Sequence, residues 1–194
     1  MLNRYHYARA ATLNRWLDRL ARPQGFKPCI HALEIGRLRK ARETSGYSTL
    51  HIASHYSVVS LTSVDINAAT EGVCREILPA SVLPKIEFVT ADATLWLPEM
   101  VSEAKRTWDF IYLDAARSET SELPRAYLVD CLGLTRPGTI IIVDDTGMPA
   151  PDERGPLVRE YVKQHPKLLN VLEDIPRDRT SQGQMVLQAN GGTS

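Results

Sequence analysis

The chain has 194 residues, of which 43% are hydrophobic and 24% are charged, and its 23 lysines and arginines balance its 23 aspartates and glutamates. This length fits one domain, residues 1–194, that is large enough to bury a full core. The balanced charge and the absence of a bilayer-spanning apolar segment predict a soluble domain whose partners include neither nucleic acid nor a membrane.

The N-terminal part of the chain predicts a helix followed by a strand. Residues 4–21 place apolar side chains at helical spacing with arginines between them, which indicates an amphipathic leading helix within residues 1–25. The run 29–36 is short and mostly apolar and ends in an acid and a glycine. We interpret it as a buried first strand.

Helical and strand patterns alternate after this strand. Five segments with helical spacing are predicted as helices at 46–55, 68–78, 95–105, 123–134 and 153–164. Four short apolar runs are predicted as strands at 58–65, 85–90, 108–114 and 139–144. We expect Pro137 and Gly138 to start the last of these strands sharply.

The C-terminal part of the chain carries two further strand patterns, 169–174 and 184–188, joined by a short polar loop. They predict a hairpin at one edge of the sheet, followed by a disordered tail at 190–194. The fold class is therefore α/β: a doubly wound, mostly parallel, seven-stranded sheet with helices on both faces and a C-terminal antiparallel hairpin. In such a sheet, ligands bind outside the carboxyl ends of the strands.

Acidic residues lie at the ends of four predicted strands: Glu34, Asp65, Asp92 and Asp114. Because these ends converge at the switch point of a doubly wound sheet, we expect the acids to line one pocket. Asp65 lies nineteen residues after Gly46, the position from which a carboxylate accepts both hydroxyl hydrogens of a ribose. Two alternatives stay open: Asp65 starts a turn, and Asp92 caps the helix that follows it.

Six short motifs, in their order along the chain, resemble those of class I S-adenosylmethionine-dependent methyltransferases. They lie within residues 30–146, at 33–36, 46–50, 63–65, 91–93, 112–114 and 137–145. The resemblance implies a Rossmann-like methyltransferase domain with S-adenosylmethionine as its cofactor. The cofactor-binding residues that it implies are Glu34, Gly36, Gly46, Ser48, Asp65, Ile66, Asp92, Ala93 and Asp114.

The resemblance also implies how these residues act. Gly36 and Gly46 let the backbone approach the methionine part of the cofactor. Asp65 holds the ribose, while Asp92 and Ala93 meet the adenine. The chain departs from the family between the two glycines, where 37–45 form a longer and strongly basic loop. This loop is interpreted as a solvated flap, or alternatively as a clamp for an acidic substrate group.

A second acidic set, Asp114, Asp144 and Asp145, follows the fourth and fifth predicted strands. Three carboxylates suit a hard divalent cation such as Mg²⁺. The arrangement resembles the metal site of the catechol and caffeoyl-CoA O-methyltransferases, in which the metal binds the acceptor's hydroxyls. The alternative is that Asp144 and Asp145 only cap and turn the chain.

Arg117 stands where the catechol enzyme commonly has a lysine that acts as general base. An arginine keeps its proton, so Arg117 cannot take that role. It either steadies an anionic acceptor or is an ordinary surface residue. We therefore name Asp114 and Arg117 as the candidate catalytic residues.

The predicted function is transfer of a methyl group from S-adenosylmethionine to a small-molecule acceptor, at a hydroxyl oxygen, with metal assistance as an option. One alternative is an NAD-dependent oxidoreductase, although the chain lacks the Gly-x-Gly-x-x-Gly fingerprint. Another is a cofactor-binding protein without catalytic activity. A homodimer is a further expectation.

The three cysteines, Cys29, Cys74 and Cys131, lie far apart among apolar residues. This pattern predicts reduced thiols in the core rather than disulfides or a zinc site. The N-terminus lacks the apolar run of a signal peptide. We therefore expect a cytoplasmic location.

Overall fold

The computed structural model describes residues 4–21, 29–37, 48–103, 106–115, 123–147, 155–177 and 182–190. The strands are β1 (Ile30–Ile35), β2 (Val58–Asp65), β3 (Ile86–Thr90), β4 (Trp108–Leu113), β5 (Thr135–Asp144), β6 (Leu169–Arg177) and β7 (Gln182–Ala189). The helices are α1 (Arg4–Ala21), α2 (Ser48–Ser54), α3 (Ala69–Ile77), α4 (Ala93–Ser102), α5 (Leu123–Leu132) and α6 (Gly155–Gln164), and a 3-10 turn spans Leu83–Lys85.

The seven strands form one sheet in the order β3-β2-β1-β4-β5-β7-β6. The first five strands in this order pair in parallel, and β7 runs antiparallel to both β5 and β6. This topology confirms the predicted doubly wound sheet and its C-terminal hairpin. The chain moves outward from β1 to β3 on one side and continues with β4 on the other, so the switch point lies between β1 and β4.

Two hydrophobic clusters cover the two faces of the sheet. Residues of α1, α2 and α3 pack on one face, and residues of α4, α5 and α6 pack on the other. Along β5, Ile140 and Ile142 belong to the first cluster while Ile141 and Val143 belong to the second. This alternation is the period of two that a strand buried on both faces requires. The predicted helices on both faces are thereby confirmed.

The start of β5 differs from the prediction. The strand begins at Thr135 rather than at residue 139, so Pro137 and Gly138 lie inside it. The register between β4 and β5 shifts between Trp108 and Phe110, and Gly138 takes a positive φ of 92°. An irregularity of this kind lets a strand continue past a proline and a glycine, because the ladder is already interrupted there.

Two smaller predictions also need correction. Cys74 and Cys131 are buried as predicted and not in disulfides, but Cys29, just before β1, is exposed. Asn190, the first residue of the predicted disordered tail, is placed by a hydrogen bond from its backbone N–H to the Leu168 carbonyl. The rest of the tail, 191–194, lies outside the described residues. Among the described helices, none is both long and apolar enough to cross a bilayer.

Candidate active site

The carboxyl ends of β1, β2 and β4 meet at Gly36. Its N–H donates to the Val64 carbonyl at 2.8 Å, and the Asp114 N–H donates to the Ile35 carbonyl at 2.9 Å. Gly36 has a φ of +90°, and a Cβ at this position would lie 2.7 Å from the Ala115 nitrogen. Glycine is therefore required by the close approach of two backbone segments at the switch point. The predicted contact of Gly36 with a cofactor stays a prediction.

Glu34 is completely buried one position before the end of β1. Its carboxylate accepts hydrogen bonds from the hydroxyls of Ser48 at 2.6 Å, Thr49 at 2.8 Å and Ser63 at 2.7 Å. Burial raises the pKa of Glu34 above its ordinary value, and the three hydroxyls oppose that shift. Glu34 and Ser48 thus join β1, β2 and the start of α2, and their direct contact with a cofactor stays a prediction.

Asp65 ends β2 with its carboxylate held by two backbone N–H groups. The N–H of Arg37 donates to Oδ2 at 3.1 Å, and the N–H of Asn67 donates to Oδ1 at 2.8 Å. The second bond confirms the interpretation of Asp65 as the start of a turn. Ionised carboxylate oxygens have further lone pairs, so this role leaves capacity for ribose hydroxyls. The neighbouring Ile66 exposes 54% of its surface and offers an apolar contact beside Asp65.

Arg37, the first residue of the basic loop, is only 3% exposed, so the solvated interpretation is wrong for it. Its guanidinium lies 5.5 Å from the Phe88 ring centroid and donates through Nη2 to the Val89 carbonyl. Its Nε and Nη1 atoms have no hydrogen-bond partner among the described residues. Burial lowers the pKa of Arg37. The other residues of the loop, and Gly46 beyond it, lie outside the described residues.

Asp92 confirms the capping alternative. Its Oδ1 accepts hydrogen bonds from the backbone N–H of Thr94 at 2.9 Å and from the Thr94 hydroxyl at 2.7 Å. α4 therefore begins at Ala93, two residues earlier than predicted, because the cap satisfies a free N–H group of its first turn. Ala93 is 6% exposed. The predicted contact of both residues with adenine stays a prediction.

Asp114, Asp144 and Asp145, hereafter the acidic cluster, come together as expected at the ends of β4 and β5. One carboxylate oxygen of each lies within 4.8 Å of the others. Asp144 is almost completely buried, and Asp145 takes the left-handed conformation with a φ of +58°. Aspartate tolerates this conformation better than most residues do. The candidate catalytic Arg117 lies outside the described residues.

An arginine of the leading helix occupies the acidic cluster. Nη1 of Arg9 lies 3.4 Å from Asp114 Oδ2, and Nη2 lies 3.2 Å from Asp145 Oδ1 and also contacts Asp144 Oδ2. The Tyr112 hydroxyl donates to the same Asp144 oxygen. Burial alone would lower the pKa of Arg9, but the three carboxylates raise it well above its ordinary value.

Sequence reasoning missed Arg9, although the helix carries a signal for it. Leu13, Trp16 and Leu17 form the buried face of α1, and Arg9 precedes them by four, seven and eight residues. Residues at these spacings share one helix face. An arginine on the buried face of a helix requires an acidic partner, and only the folded sheet shows which one it has.

Two buried polar side chains, Gln184 and Thr146, lie beside the acidic cluster. Gln184 pairs with Asp144 across β5 and β7, and directly opposite residues of an antiparallel pair point to the same face. Nε2 of Gln184 and Oγ1 of Thr146 are buried without a hydrogen-bond partner among the described residues. A bound molecule that supplied oxygen or nitrogen atoms would satisfy them. Neither residue was singled out from the sequence.

A cavity of about 640 Å³ lies elsewhere, at the amino ends of the strands. Its lining includes Trp16, Arg19, Ile30 and Arg136. Ligands of open α/β sheets bind at the opposite, carboxyl ends, so we place the candidate site with the strand-end acids rather than in this cavity. From the ends of β1, β4 and β5 the chain continues into 38–47, 116–122 and 148–154, which lie outside the described residues.

A comparison with protein families matches one family to most of the chain. The model of a family described as O-methyltransferase matches residues 28–179. This range contains all of the strand-end acids and the whole acidic cluster, whereas Arg9 precedes it. A search of the curated proteins found no significant match.

Solved methyltransferase structures have the same fold. An O-methyltransferase from Bacillus cereus in complex with SAH is 24% identical, with a TM-score of 0.66 over 92% of this chain and 81% of that one. TomG from Streptomyces achromogenes, an O-methyltransferase of tomaymycin synthesis in complex with SAM, is 20% identical, with a TM-score of 0.67 over 95% and 80%. The N-methyltransferase NodS from Bradyrhizobium japonicum WM9 is 16% identical, with a TM-score of 0.62 over 97% of both chains.

Proposed function

Because this chain belongs to the O-methyltransferase family, we propose that it transfers a methyl group from S-adenosylmethionine to a hydroxyl oxygen of a small-molecule acceptor. The observation that carries the proposal is the family match over residues 28–179, which spans the strand-end acids at the switch point. The same match weighs against the alternative of an NAD-dependent oxidoreductase. Bound SAH and SAM in two structures of the same fold support the choice of cofactor.

The proposed cofactor site is the carboxyl edge of β1, β2 and β3. Asp65 is oriented by two backbone N–H groups and keeps free lone pairs, which suits a ribose with two hydroxyls. The exposed Ile66 provides an apolar surface for adenine, next to Asp92 and Ala93. We place the methionine part near Gly36 and Ser48, at the end of β1. Gly46, which lies outside the described residues, remains a proposed contact from the sequence. When bound there, S-adenosylmethionine supplies an electrophilic methyl group on a sulfonium sulfur.

The proposed acceptor site lies beside the acidic cluster. Asp114, 19% exposed, is the proton acceptor for the hydroxyl that becomes methylated. A negative charge that develops on the acceptor oxygen beside Asp114 lies near the guanidinium of Arg9. Gln184 and Thr146 have a buried N–H donor and a buried hydroxyl that lack partners among the described residues, and the acceptor would satisfy them. Arg117 as a contact for an anionic acceptor, and a homodimer, remain proposals from the sequence.

The acidic cluster is the site that a Mg²⁺ ion would use in this chain. Three carboxylates are the right donors for a hard cation, and their oxygens are close enough to share one. One oxygen of each aspartate is, however, already in contact with the Arg9 guanidinium, so the positive charge that would balance the cluster is in place without a metal. The residues as arranged do not fit a bound metal, and we assign proton removal to Asp114 without one.

Calorimetry with SAH and with NAD tests the proposed cofactor. We expect SAH to bind and NAD not to bind. Asp65→Ala should weaken SAH binding by about 1.5–3 kcal/mol, the contribution of hydrogen bonds to a charged group, or roughly 10- to 150-fold. Asp174→Ala is the matched control. Asp174 lies on the distant edge strand β6, and its exposed carboxylate is paired with Arg159. NAD binding in the absence of SAH binding would refute the proposed cofactor.

Methyl transfer itself is tested with radiolabelled S-adenosylmethionine and a panel of phenols, catechols and aliphatic alcohols. The proposal expects at least one hydroxyl compound to gain the label. Asp114→Asn should then lose turnover, because an amide cannot accept the proton. If SAH binds tightly and no hydroxyl or amine compound is labelled, the chain is a cofactor-binding protein without catalytic activity.

A further inference from the structure

We propose that Arg9 is the resident cation of the acidic cluster, so that no divalent cation binds there while its guanidinium is in place. The proposal concerns only what neutralises Asp114, Asp144 and Asp145. It holds or fails independently of the methyl transfer proposed above.

The Arg9 guanidinium contacts one oxygen of each aspartate in the acidic cluster. One carboxylate oxygen of each of the three aspartates lies within 4.8 Å of the others, close enough to share a cation. Arg9 is within 3.4 Å of Oδ2 of Asp114 and Oδ1 of Asp145, and it also contacts Oδ2 of Asp144, which additionally accepts from the Tyr112 hydroxyl. A Mg²⁺ ion requires oxygens at 2.0–2.1 Å in a near-octahedral arrangement. An ion bound to these atoms would therefore lie against the guanidinium.

Charge makes the two cations mutually exclusive. Two positive groups in contact at a site with 1–19% exposure repel each other strongly, because little water screens them. The same three carboxylates hold Arg9 in its charged form. An arginine cannot yield by releasing a proton, as a lysine could, so a metal would have to displace the whole side chain.

Helix packing keeps the guanidinium at the cluster. Leu13, Trp16 and Leu17 of α1 are buried against the sheet. Further along the helix, Glu173 of β6 accepts hydrogen bonds from Arg15 and, at 3.1 Å, from the indole Nε1 of Trp16. Arg9 therefore lies on a helix, α1, that other residues hold against the sheet. To vacate the cluster, its side chain must swing away from a fixed backbone, or the whole helix must leave the sheet.

Mn²⁺ binding, followed by electron paramagnetic resonance on the full chain, tests the proposal. We expect the wild type to bind Mn²⁺ at least about 100-fold more weakly than the Arg9→Ala variant, which should gain one site. Adding Asp145→Asn to Arg9→Ala should abolish the gained site. Arg9→Lys retains a positive charge but can release its proton, so it should exclude the ion less well than the wild type and better than Arg9→Ala. Arg15→Ala is the matched control, because it removes an arginine of the same helix that contacts Glu173 instead.

Two results would overturn the proposal. One is Mn²⁺ affinity in the wild type within threefold of that in Arg9→Ala. The other is a folded Arg9→Ala variant, by circular dichroism, that gains no site. If Arg9→Ala does not fold, Mn²⁺ binding to the wild type decides. Wild-type binding that Asp145→Asn removes would contradict the proposal. No wild-type binding, at Mn²⁺ concentrations that fill ordinary carboxylate sites, would support it.

Discussion

The two halves of the sheet's carboxyl edge satisfy their carboxylates in different ways. On the β1–β2–β3 half, Glu34, Asp65 and Asp92 accept hydrogen bonds from hydroxyls and backbone N–H groups that lie 2 to 29 residues away. On the β4–β5 half, the acidic cluster is paired with a guanidinium whose position differs by 105 and 136 residues from those of Asp114 and Asp145.

The two halves differ in the type of interaction that stabilises their carboxylates, as well as in how far along the chain the partners lie. Neutral donors hold a carboxylate through short-range hydrogen bonds, which depend on geometry and little on salt. A guanidinium holds three carboxylates through charge, and part of that energy is lost when the partner or the ionic strength changes. The half proposed for the cofactor is therefore the locally built one. The half proposed for the acceptor depends on the position of α1.

The largest loss of stability is expected when Glu34, the common acceptor of three neutral hydroxyls, is replaced. Glu34→Ala leaves three buried hydroxyls without their common acceptor and also creates a cavity, so the free energy of unfolding should fall by about 3–4 kcal/mol. Urea unfolding measures this loss. It should change little between 50 mM and 500 mM salt, since the hydrogen-bond donors to Glu34 among the described residues are neutral hydroxyls. A loss that is much smaller at 500 mM salt would show that charge, and not neutral hydrogen bonds, stabilises this half of the edge.

Glu34→Gln is the matched control and also tests the pH dependence. Burial raises the pKa of Glu34 in the folded state above 4.5, its ordinary value. The folded state therefore favours the protonated acid more than the unfolded state does. Its contribution to stability is complete below pH 4.5 and is lost as the pH rises through the folded-state pKa. Stability of the wild type relative to Glu34→Gln should fall over that window, and an increase would show that the shift has the opposite sign.

Arg9→Ala should have the next largest effect, and this effect should depend on salt. Removing the guanidinium leaves three neighbouring carboxylates uncompensated, which should lower the free energy of unfolding by about 2–3 kcal/mol at low salt and by less at high salt. Adding Asp144→Asn should recover part of the loss, because it removes one of the repelling charges. Strictly additive losses in the two variants would contradict the proposed charge balance.

The smallest effect is expected at Asp92, which belongs to the locally built half. Asp92→Ala removes a cap that accepts from the backbone N–H of Thr94 and should cost about 1 kcal/mol in chemical unfolding. Asp92→Ser should restore most of this stability, because serine also caps helices. If serine does not restore it, the loss comes from a contact other than the cap.

Most of the fold was predictable because its signals are local. The alternation of strand and helix patterns depends on side chains a few residues apart, and it predicted the seven strands and the hairpin. The predicted start of β5 was wrong because Pro137 and Gly138 usually interrupt a strand, while here a register shift against β4 accommodates them. The predicted burial of Cys29 was wrong because its apolar neighbours lie in β1, which begins one residue later.

The candidate site divides in the same way. Asp65 and Asp92 could be placed from their positions at strand ends, and their turn and cap partners follow them within two residues. The acidic cluster could be predicted because β4 and β5 are neighbours in doubly wound sheets. Its partner Arg9 could not, since the pairing depends on where α1 crosses the sheet. The burial of Arg37 likewise depends on packing against Phe88, which follows it by 51 positions.

The contact between Arg9 and the acidic cluster also has a consequence for biosynthesis. α1 is among the first parts of the described chain to be made, whereas Asp145 follows Arg9 by 136 positions. At translation rates of about 5–20 residues per second, the helix waits roughly 7 to 27 s for its partner. During this interval Leu13, Trp16 and Leu17 have no completed sheet to cover them, so their apolar surface stays exposed until β5 has been made.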